Sequence, residues 1–277
     1  MVPFDPLEPY GPLIETRARL VTWNVWANAG PWESRYARIE QLLRGMDPDI
    51  VGVQEAFRAP GAEPLRDIAQ HLGLVYTPCI EWFEPAQLES GTAVLSRWPV
   101  SETEHRKLAG FDGGEGGMVQ YARIDGPRGQ IDLFVSMLDW RPDLSHVRQA
   151  QVRELAAYVN EKGSAAHPVV ICGDFNAGPE TDEMRMLIGQ AQTAAPGLVF
   201  YDAWDVASEG GPGHTWSRRN RYAAAGLLPD RRIDYVLSAW PRARGAGHPV
   251  RCEVLGTAGL DGVDPSDHFA VMAEIRY

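Results

Sequence analysis

Arg19-Leu20-Val21-Thr22-Trp23-Asn24-Val25-Trp26 and Ile50-Val51-Gly52-Val53-Gln54-Glu55, with the segment that joins them, decide the fold. The first run is rich in β-branched and aromatic residues and reads as a strand from Arg19 to Trp26. Tyr36, Ile39, Leu42, Leu43 and Met46 then recur at helical spacing until Asp47-Pro48-Asp49 closes the element. Ile50 to Gln54 is a short apolar run between turn signals, as expected of a buried strand. The same order returns downstream. Ile131 to Leu138 reads as a strand, Val152, Leu155, Ala156 and Val159 mark one helix face, and Val169 to Cys172 is a buried strand. Two such units predict two similar halves.

Between and after them, further strands fit Gly91 to Leu95, Val100 to His105, Met118 to Ile124, Arg232 to Leu237, Val250 to Leu255 and Phe269 to Ile275. Gly110 to Gly117 and Gly210 to Gly213 read as exposed loops too short to link domains. One domain over residues 1–277 is expected, with an extended, proline-rich lead-in over 1–17. Strand, helix, strand units mixed with hairpin strands predict two sheets packed face to face with helices outside, a layered α/β sandwich.

The 277 residues are 44% hydrophobic and 23% charged, the balance of a soluble globular protein, which sets aside disorder and a membrane span. Lysine plus arginine less aspartate plus glutamate is 26 − 37 = −11, which disfavours a general coat for duplex DNA. A phosphate-ester substrate stays compatible with that charge, because a cation held by some of the carboxylates reverses the local sign. Cys79, Cys172 and Cys252 are far apart and odd in number, so neither a disulfide framework nor a zinc ribbon is supported. A reducing, cytoplasmic setting is expected, and the N-terminus lacks the basic and apolar regions of a secretory signal.

Acidic and amide residues fall repeatedly at strand ends, where α/β proteins build their sites. Asn24 and Glu55 each end a strand, Gly173-Asp174-Phe175-Asn176 follows another, and Ser266-Asp267-His268 precedes the last. Singly, Asn24, Asp174 and Asp267 read equally well as turn or cap residues and Glu55 as a solvated strand end. Asp234 is different. It interrupts the apolar run Ile233-Asp234-Tyr235-Val236, so its carboxylate is buried or faces a cleft and needs a partner.

Together with Thr22-Trp23-Asn24, Gln54-Glu55, Leu95-Ser96-Arg97-Trp98-Pro99-Val100, His214-Thr215-Trp216 and Arg232-Ile233-Asp234-Tyr235, these motifs occur in an order that resembles the endonuclease/exonuclease/phosphatase superfamily. That superfamily contains deoxyribonuclease I-like nucleases, abasic-site endonucleases, sphingomyelinases and inositol-polyphosphate phosphatases. The resemblance spans nearly the whole chain. It implies a four-layered α/β/β/α sandwich, with two packed mixed β-sheets flanked by helices, and a metal-dependent phosphoesterase.

By the same resemblance Glu55 is the principal ligand of Mg2+ or Mn2+, with Asn24 beside it and Asp267 completing or supporting the shell, a donor set that suits a hard cation. His268 is the candidate base, because imidazole titrates near neutrality, and the resemblance pairs it with Asp234. Asp174 is expected to orient the nucleophilic water and Asn176 to donate to the phosphorus transition state. His214 and Trp216 read equally well as an incidental histidine and a packed tryptophan or, by the resemblance, as residues lining the substrate cleft. His71, His105, His146, His167 and His248 match no motif and read as surface or structural.

One departure stands out. Many members carry Thr-His-Leu at the end of the strand before the second long helix, with the histidine on the scissile phosphate, whereas here the run is Val135-Ser136-Met137-Leu138-Asp139. Met137 has no hydrogen to donate. Three readings follow: a phosphoesterase acting on small phosphate mono- or diesters or lipid head groups, an endo- or exonuclease on DNA or RNA, and a catalytically impaired member that binds a phosphorylated ligand. Arg218, Arg219, Arg221, Arg231 and Arg232 offer a polyanion contact or a solvated loop, and the loop is favoured. A monomer is expected.

Overall fold

A computed structural model of the chain describes residues 6–83, 88–110, 115–163, 167–240, 243–257 and 262–277. The first half runs β1 (Arg17–Asn24), α1 (Trp32–Met46), β2 (Ile50–Arg58), α2 (Pro64–Leu72), β3 (Val75–Phe83), β4 (Leu88–Ser96), β5 (Val100–Ala109) and β6 (Glu115–Gly126). The second half runs β7 (Gly129–Met137), α3 (Ser145–Lys162), β8 (Val170–Asp174), α4 (Asp182–Leu187), β9 (Phe200–Asp202), α5 (Ala203–Ala207), α6 (Arg221–Ala225), β10 (Asp234–Ala239), β11 (Pro249–Leu255) and β12 (Ala270–Arg276).

Two six-stranded sheets result, ordered β11-β12-β1-β2-β4-β3 and β5-β6-β7-β8-β10-β9. Each is built around one strand, helix, strand unit, since β1 with β2 and β7 with β8 are the parallel pairs and their neighbours are antiparallel. Three apolar layers fill the spaces. Tyr36, Ile39, Leu43 and Met46 of α1 cover one sheet with Val21, Trp23, Val51 and Val53. Leu20, Ile50 and Val271 meet Leu133, Val135 and Val236 between the sheets. Val152, Leu155 and Val159 of α3 cover the other sheet with Phe134 and Ile171. The architecture is therefore the four-layered α/β/β/α sandwich, with two packed mixed sheets.

Boundaries moved where local geometry overrides composition. The first strand stops at Asn24, because Trp26 and Ala27 turn to φ 58° and 36°. Residues 115–117 of the glycine-rich stretch are strand in β6, paired with β5, while 111–114 lie outside the described residues. The lead-in is tied down at its end, with Tyr277 N donating to Thr16 O at 2.9 Å. No helix among the described residues is long and apolar enough to cross a membrane.

Close approach of the sheets demands glycine at position 52, where an added Cβ meets Cys172 Sγ at 2.5 Å and Val135 Cγ2 at 2.9 Å. Gly52→Val is expected to cost about 1–3 kcal/mol or more through overpacking. Gly45→Ala, on an exposed face of α1 with nothing within 4 Å, is expected to gain about 0.5–1 kcal/mol. Urea midpoints of the two variants check both signs.

Candidate active site

The residues predicted to carry the site meet at one end of the sheet-to-sheet seam, but Glu55 does not end its strand as expected: β2 runs on to Arg58. Asn24 closes β1 beside Gln54 of the parallel β2. Glu55 follows at a bulge, where Gln54 pairs Thr92 and Ala56 pairs Gly91 in β4, and its φ of 53° turns the side chain off the regular pleat. From the other sheet, Asp174 ends β8 directly opposite Asp234 of β10 and in register with Met137 of β7. Gly173 before it is obligatory, since a Cβ there meets Ser136 O at 1.9 Å. Trp26, Ala27, Glu55 and Asn176 all hold positive φ around this centre, the kind of strain that only a rigid frame maintains.

Hydrogen bonds weld the two sheets. Asn24 Nδ2 donates to Glu55 Oε1 at 2.9 Å and Asp174 Oδ2 at 3.1 Å, while Asn24 Oδ1 accepts from Trp26 N at 3.0 Å. The amide nitrogen thus faces the carboxylates, and ligation through Oδ1 requires the amide to turn over. His268 Nδ1 lies 2.9 Å from Asp234 Oδ2, and its Nε2 lies 3.8 Å from Asp174 Oδ2, beyond direct hydrogen bonding. Asp174 Oδ1 accepts from Asn176 N at 2.9 Å. The Asn176 side chain donates one of its two amide hydrogens to Leu138 O at 3.1 Å.

Asp267 Oδ1 lies 3.1 Å from Ser266 Oγ and shares that hydroxyl's single proton with Asn24 O, 2.7 Å from the same Oγ. Trp216 packs edge-on against His268 with ring centroids 5.1 Å apart. Met137 is half-buried beside Asp174. His214 is half-buried two residues from Trp216, and its electrostatic neighbour is Asp230. The five remaining histidines lie elsewhere: His71 and His105 are exposed beside Glu40 and Glu81, His146 is exposed, and His167 and His248 are half-buried.

Four supporting residues went unread. Arg35 of α1 is fully buried and donates to the backbone oxygens of Val25, Trp26, Ala27, Ala29 and Pro265, clasping the loops that carry Asn24 and Asp267. Its signal was present, since Arg35 lies four residues before Ile39 on the apolar face of the helix. Thr215 Oγ1 accepts from Ile233 N and Asp234 N, at 3.1 and 3.2 Å, and so sets Asp234. Ser266 Oγ donates to Asn24 O at 2.7 Å and accepts from His268 N at 3.2 Å, and Asn220 Nδ2 holds Ser266 O at 2.6 Å.

The arginine cluster is corrected in part. Arg232 is not in a solvated loop but buried, paired with Asp202 and with Asp205, because Asp202 ends the neighbouring strand. Arg218 and Arg221 are exposed and paired with Asp230 and Asp264.

Electrostatics follow from the crowding. Burial pushes Asp174 up to about 6, helped by Asp234 opposite it. Burial likewise pushes Asp267 up to about 6 and raises Glu55, although Asn24 donates to Glu55. For His268 burial opposes the charge, yet Asp234, Asp174 and Asp267 more than offset it and raise the imidazole well above 6.5. Asp234 Oδ1 is buried with no hydrogen-bond partner. Oxygen donors in excess of local positive charge are the set that a hard divalent cation such as Mg2+ or Mn2+ satisfies. Asp174, Asp234 and His268 also approach one another within 4.8 Å; His268 Nδ1 and Asp234 Oδ2 are engaged with each other, whereas Asp234 Oδ1 is not.

The model of the Endonuclease/Exonuclease/phosphatase family matches residues 21–268. A Caenorhabditis elegans protein named as a neutral sphingomyelinase is 27% identical over 215 residues, which is 69% of this chain and 46% of that protein. The chain thus spans about half the length of that relative. Among solved structures, D. rerio TDP2 with a single-strand DNA product superposes with a TM-score of 0.75 at 17% identity, over 95% of this chain and 100% of the other. The mannosyl-6-phosphatase of Bacteroides thetaiotaomicron gives 0.72 at 19% identity, over 94% and 100%. At these identities the structural likeness shows the fold.

The pH dependence has a definite sign. Asp174 and Asp267 are raised above their unfolded values, so their contribution is complete below about pH 4 and is lost as pH rises through about 6. His268, raised above 6.5, adds in the same direction, its share being lost at still higher pH. In chelator, the thermal midpoint is therefore expected to fall by roughly 5 °C or more between pH 5 and pH 8, a few kcal/mol in a chain of this size. Asp267→Asn is expected to flatten that fall, and scanning calorimetry across pH reads both effects.

Proposed function

This chain belongs to the Endonuclease/Exonuclease/phosphatase family, a family of phosphoester hydrolases, and from that membership we propose that it cleaves phosphate mono- or diesters at the His268 centre with a divalent cation. The observation that carries the reading is the convergence of Asn24, Glu55, Asp174, Asp234 and His268 from both sheets onto one point.

In this reading Asp234 accepts from His268 Nδ1, fixing the tautomer and directing Nε2 outward. The attacking water is held between Nε2 and the Asp174 carboxylate, which stand 3.8 Å apart. Its oxygen bonds to phosphorus opposite the leaving group, and its proton passes to Nε2. The phosphorus–oxygen ester bond breaks, and its electron pair leaves on the alcohol oxygen, which is then protonated by solvent. Glu55, with Asn24 and Asp267 beside it, would hold a divalent cation, which when bound would supply positive charge to offset the carboxylates and to stabilise charge on the phosphoryl oxygens.

Small phosphoesters and lipid head groups suit the surface better than a long polyanion. The net charge is −11, and Arg218, Arg221 and Arg232 are each spent on an aspartate rather than aligned as a basic track. The named relatives point the same way in part: one is a sphingomyelinase by name and one a sugar phosphatase, while the DNA-bound neighbour supports the nuclease reading. The three cysteines are buried thiols, consistent with a reducing, cytoplasmic setting.

With bis(p-nitrophenyl) phosphate and Mn2+, turnover is expected and chelator abolishes it. His268→Ala is expected to lower kcat by about 100-fold to 10,000-fold, and Glu55→Gln to weaken the Mn2+ dependence. Wild-type rates in either variant contradict the assigned roles.

A further inference from the structure

Two buried donors stand without acceptors on the face that carries His268. Arg231 Nε and Trp216 Nε1 are both shielded from solvent and make no hydrogen bond. Their placement follows from the backbone. Trp216 bridges Arg231 on one side and His268 on the other, both antiparallel. Arg231 N donates to Trp216 O at 2.8 Å, and Trp216 N returns to Arg231 O at 2.9 Å. Residues directly opposite across antiparallel pairs carry their side chains on one face, about 4.5–5.5 Å apart. Arg231, Trp216 and His268 are therefore a row, and the Trp216 and His268 rings touch.

The charge of Arg231 is equally distinctive. Arg232, its neighbour in sequence, points to the opposite face and is buried against Asp202 and Asp205. Arg148 is buried against Glu183. Arg231 is half-buried, and among the described residues it has no carboxylate within ion-pair distance. Burial works against its charge, as does Arg148, whereas Asp174 and Asp234 favour it, which marks the guanidinium as an electrostatic neighbour of the site carboxylates. On the other flank of Asp174 stands Met137, a side chain with no N–H or O–H to offer. Position 137 thus offers no donor beside Asp174, while Arg231 and Trp216, in the row that carries His268, hold two N–H groups without an acceptor.

Resting on the phosphoesterase reading, we propose that Arg231, with the Trp216 indole N–H beside it, is the clamp for the non-bridging phosphoryl oxygens of the substrate. It supplies the hydrogen bonds that position 137 does not. A guanidinium presents planar paired N–H groups that match two phosphate oxygens and keeps its protons throughout, so the clamp binds and stabilises charge without acting as an acid. The ligand it selects is a phosphoryl group with two unesterified oxygens or more, as in a phosphodiester, a monoester or free phosphate.

The test uses the full chain with Mn2+ and three readouts: calorimetric binding of inorganic phosphate, kcat/KM for bis(p-nitrophenyl) phosphate, and the thermal midpoint. Arg231→Met is expected to lower kcat/KM by about 100-fold, the usual loss for one transition-state donor, and to weaken phosphate binding. Arg231→Lys is expected to recover part of both, and Trp216→Phe to show a smaller loss. Met137→His in the Arg231→Met background is expected to restore turnover in part by supplying a donor from the opposite wall. Wild-type phosphate binding and turnover in Arg231→Met overturn the clamp while leaving the hydrolase reading intact. Equal losses in the Met and Lys variants, with a lowered thermal midpoint in both, also overturn it by assigning Arg231 a structural role. A wild-type chain that hydrolyses nothing yet binds phosphate through Arg231 supports the clamp and discards hydrolysis. Failure to bind phosphate at all discards the clamp.

Discussion

The structure depends on crowding four carboxylates, Glu55, Asp174, Asp234 and Asp267, around one imidazole at a buried seam. Burying a carboxylate is costly unless hydrogen bonds or opposite charge compensate it. The chain supplies the hydrogen bonds: Asn24 donates to Glu55 and Asp174, Asn176 N to Asp174, Ser266 to Asp267, and His268 pairs with Asp234. It supplies less of the charge. Arg35 contributes through space to Glu55 and Asp267, but every hydrogen bond it makes is to a backbone oxygen. Burial first, and neighbouring carboxylates second, raise Asp174 and Asp267, and the same carboxylates raise His268 against its burial, an excess of negative charge that a divalent cation would relieve.

The fold explains how such a cluster is held. Asn24 and Glu55 belong to one sheet, Asp174 and Asp234 to the other, and the bond from Asn24 to Asp174 crosses between them. The relative position of the sheets is fixed by their shared apolar layer, where Gly52 lets Cys172 and Val135 approach. Trp23 reaches His268 O through its indole N–H at 3.1 Å, so a core side chain also holds the backbone of the candidate base. Packing thus holds the candidate base in place, where a misplacement of about 1 Å can cost on the order of 100-fold in rate.

Much of this was legible in the sequence because two periodicities are strong. The face Tyr36, Ile39, Leu43 and Met46 marks α1 without ambiguity, and the runs around Val51 and Ile171 are continuous because buried parallel strands have no solvent face. Asp234 stood out as a polar residue inside an apolar run, and its position opposite Asp174 gives that anomaly a cause. Other features leave no local trace. Glu55 reaches the centre only because of a bulge, whose existence depends on the pairing with β4. Thr215, an uncharged residue between His214 and Trp216, sets Asp234 through hydrogen bonds that only the fold brings together. Adjacent arginines part ways just before β10: Arg232 is buried against Asp202, while Arg231 bridges Trp216 in the row that carries His268, a distinction that counting charge does not contain.

The account stands or falls on where a cation binds. The direct measurement is a crystal structure of the chain soaked with Mn2+ and inorganic phosphate, with the ion located by anomalous scattering. One strong peak is expected, bonded to the Glu55 carboxylate, with the phosphate between it and His268 and the bond from His268 to Asp234 intact. A peak held instead by Asp174, Asp234 and His268, with the imidazole turned away from Asp234, or no peak near Glu55, would contradict it.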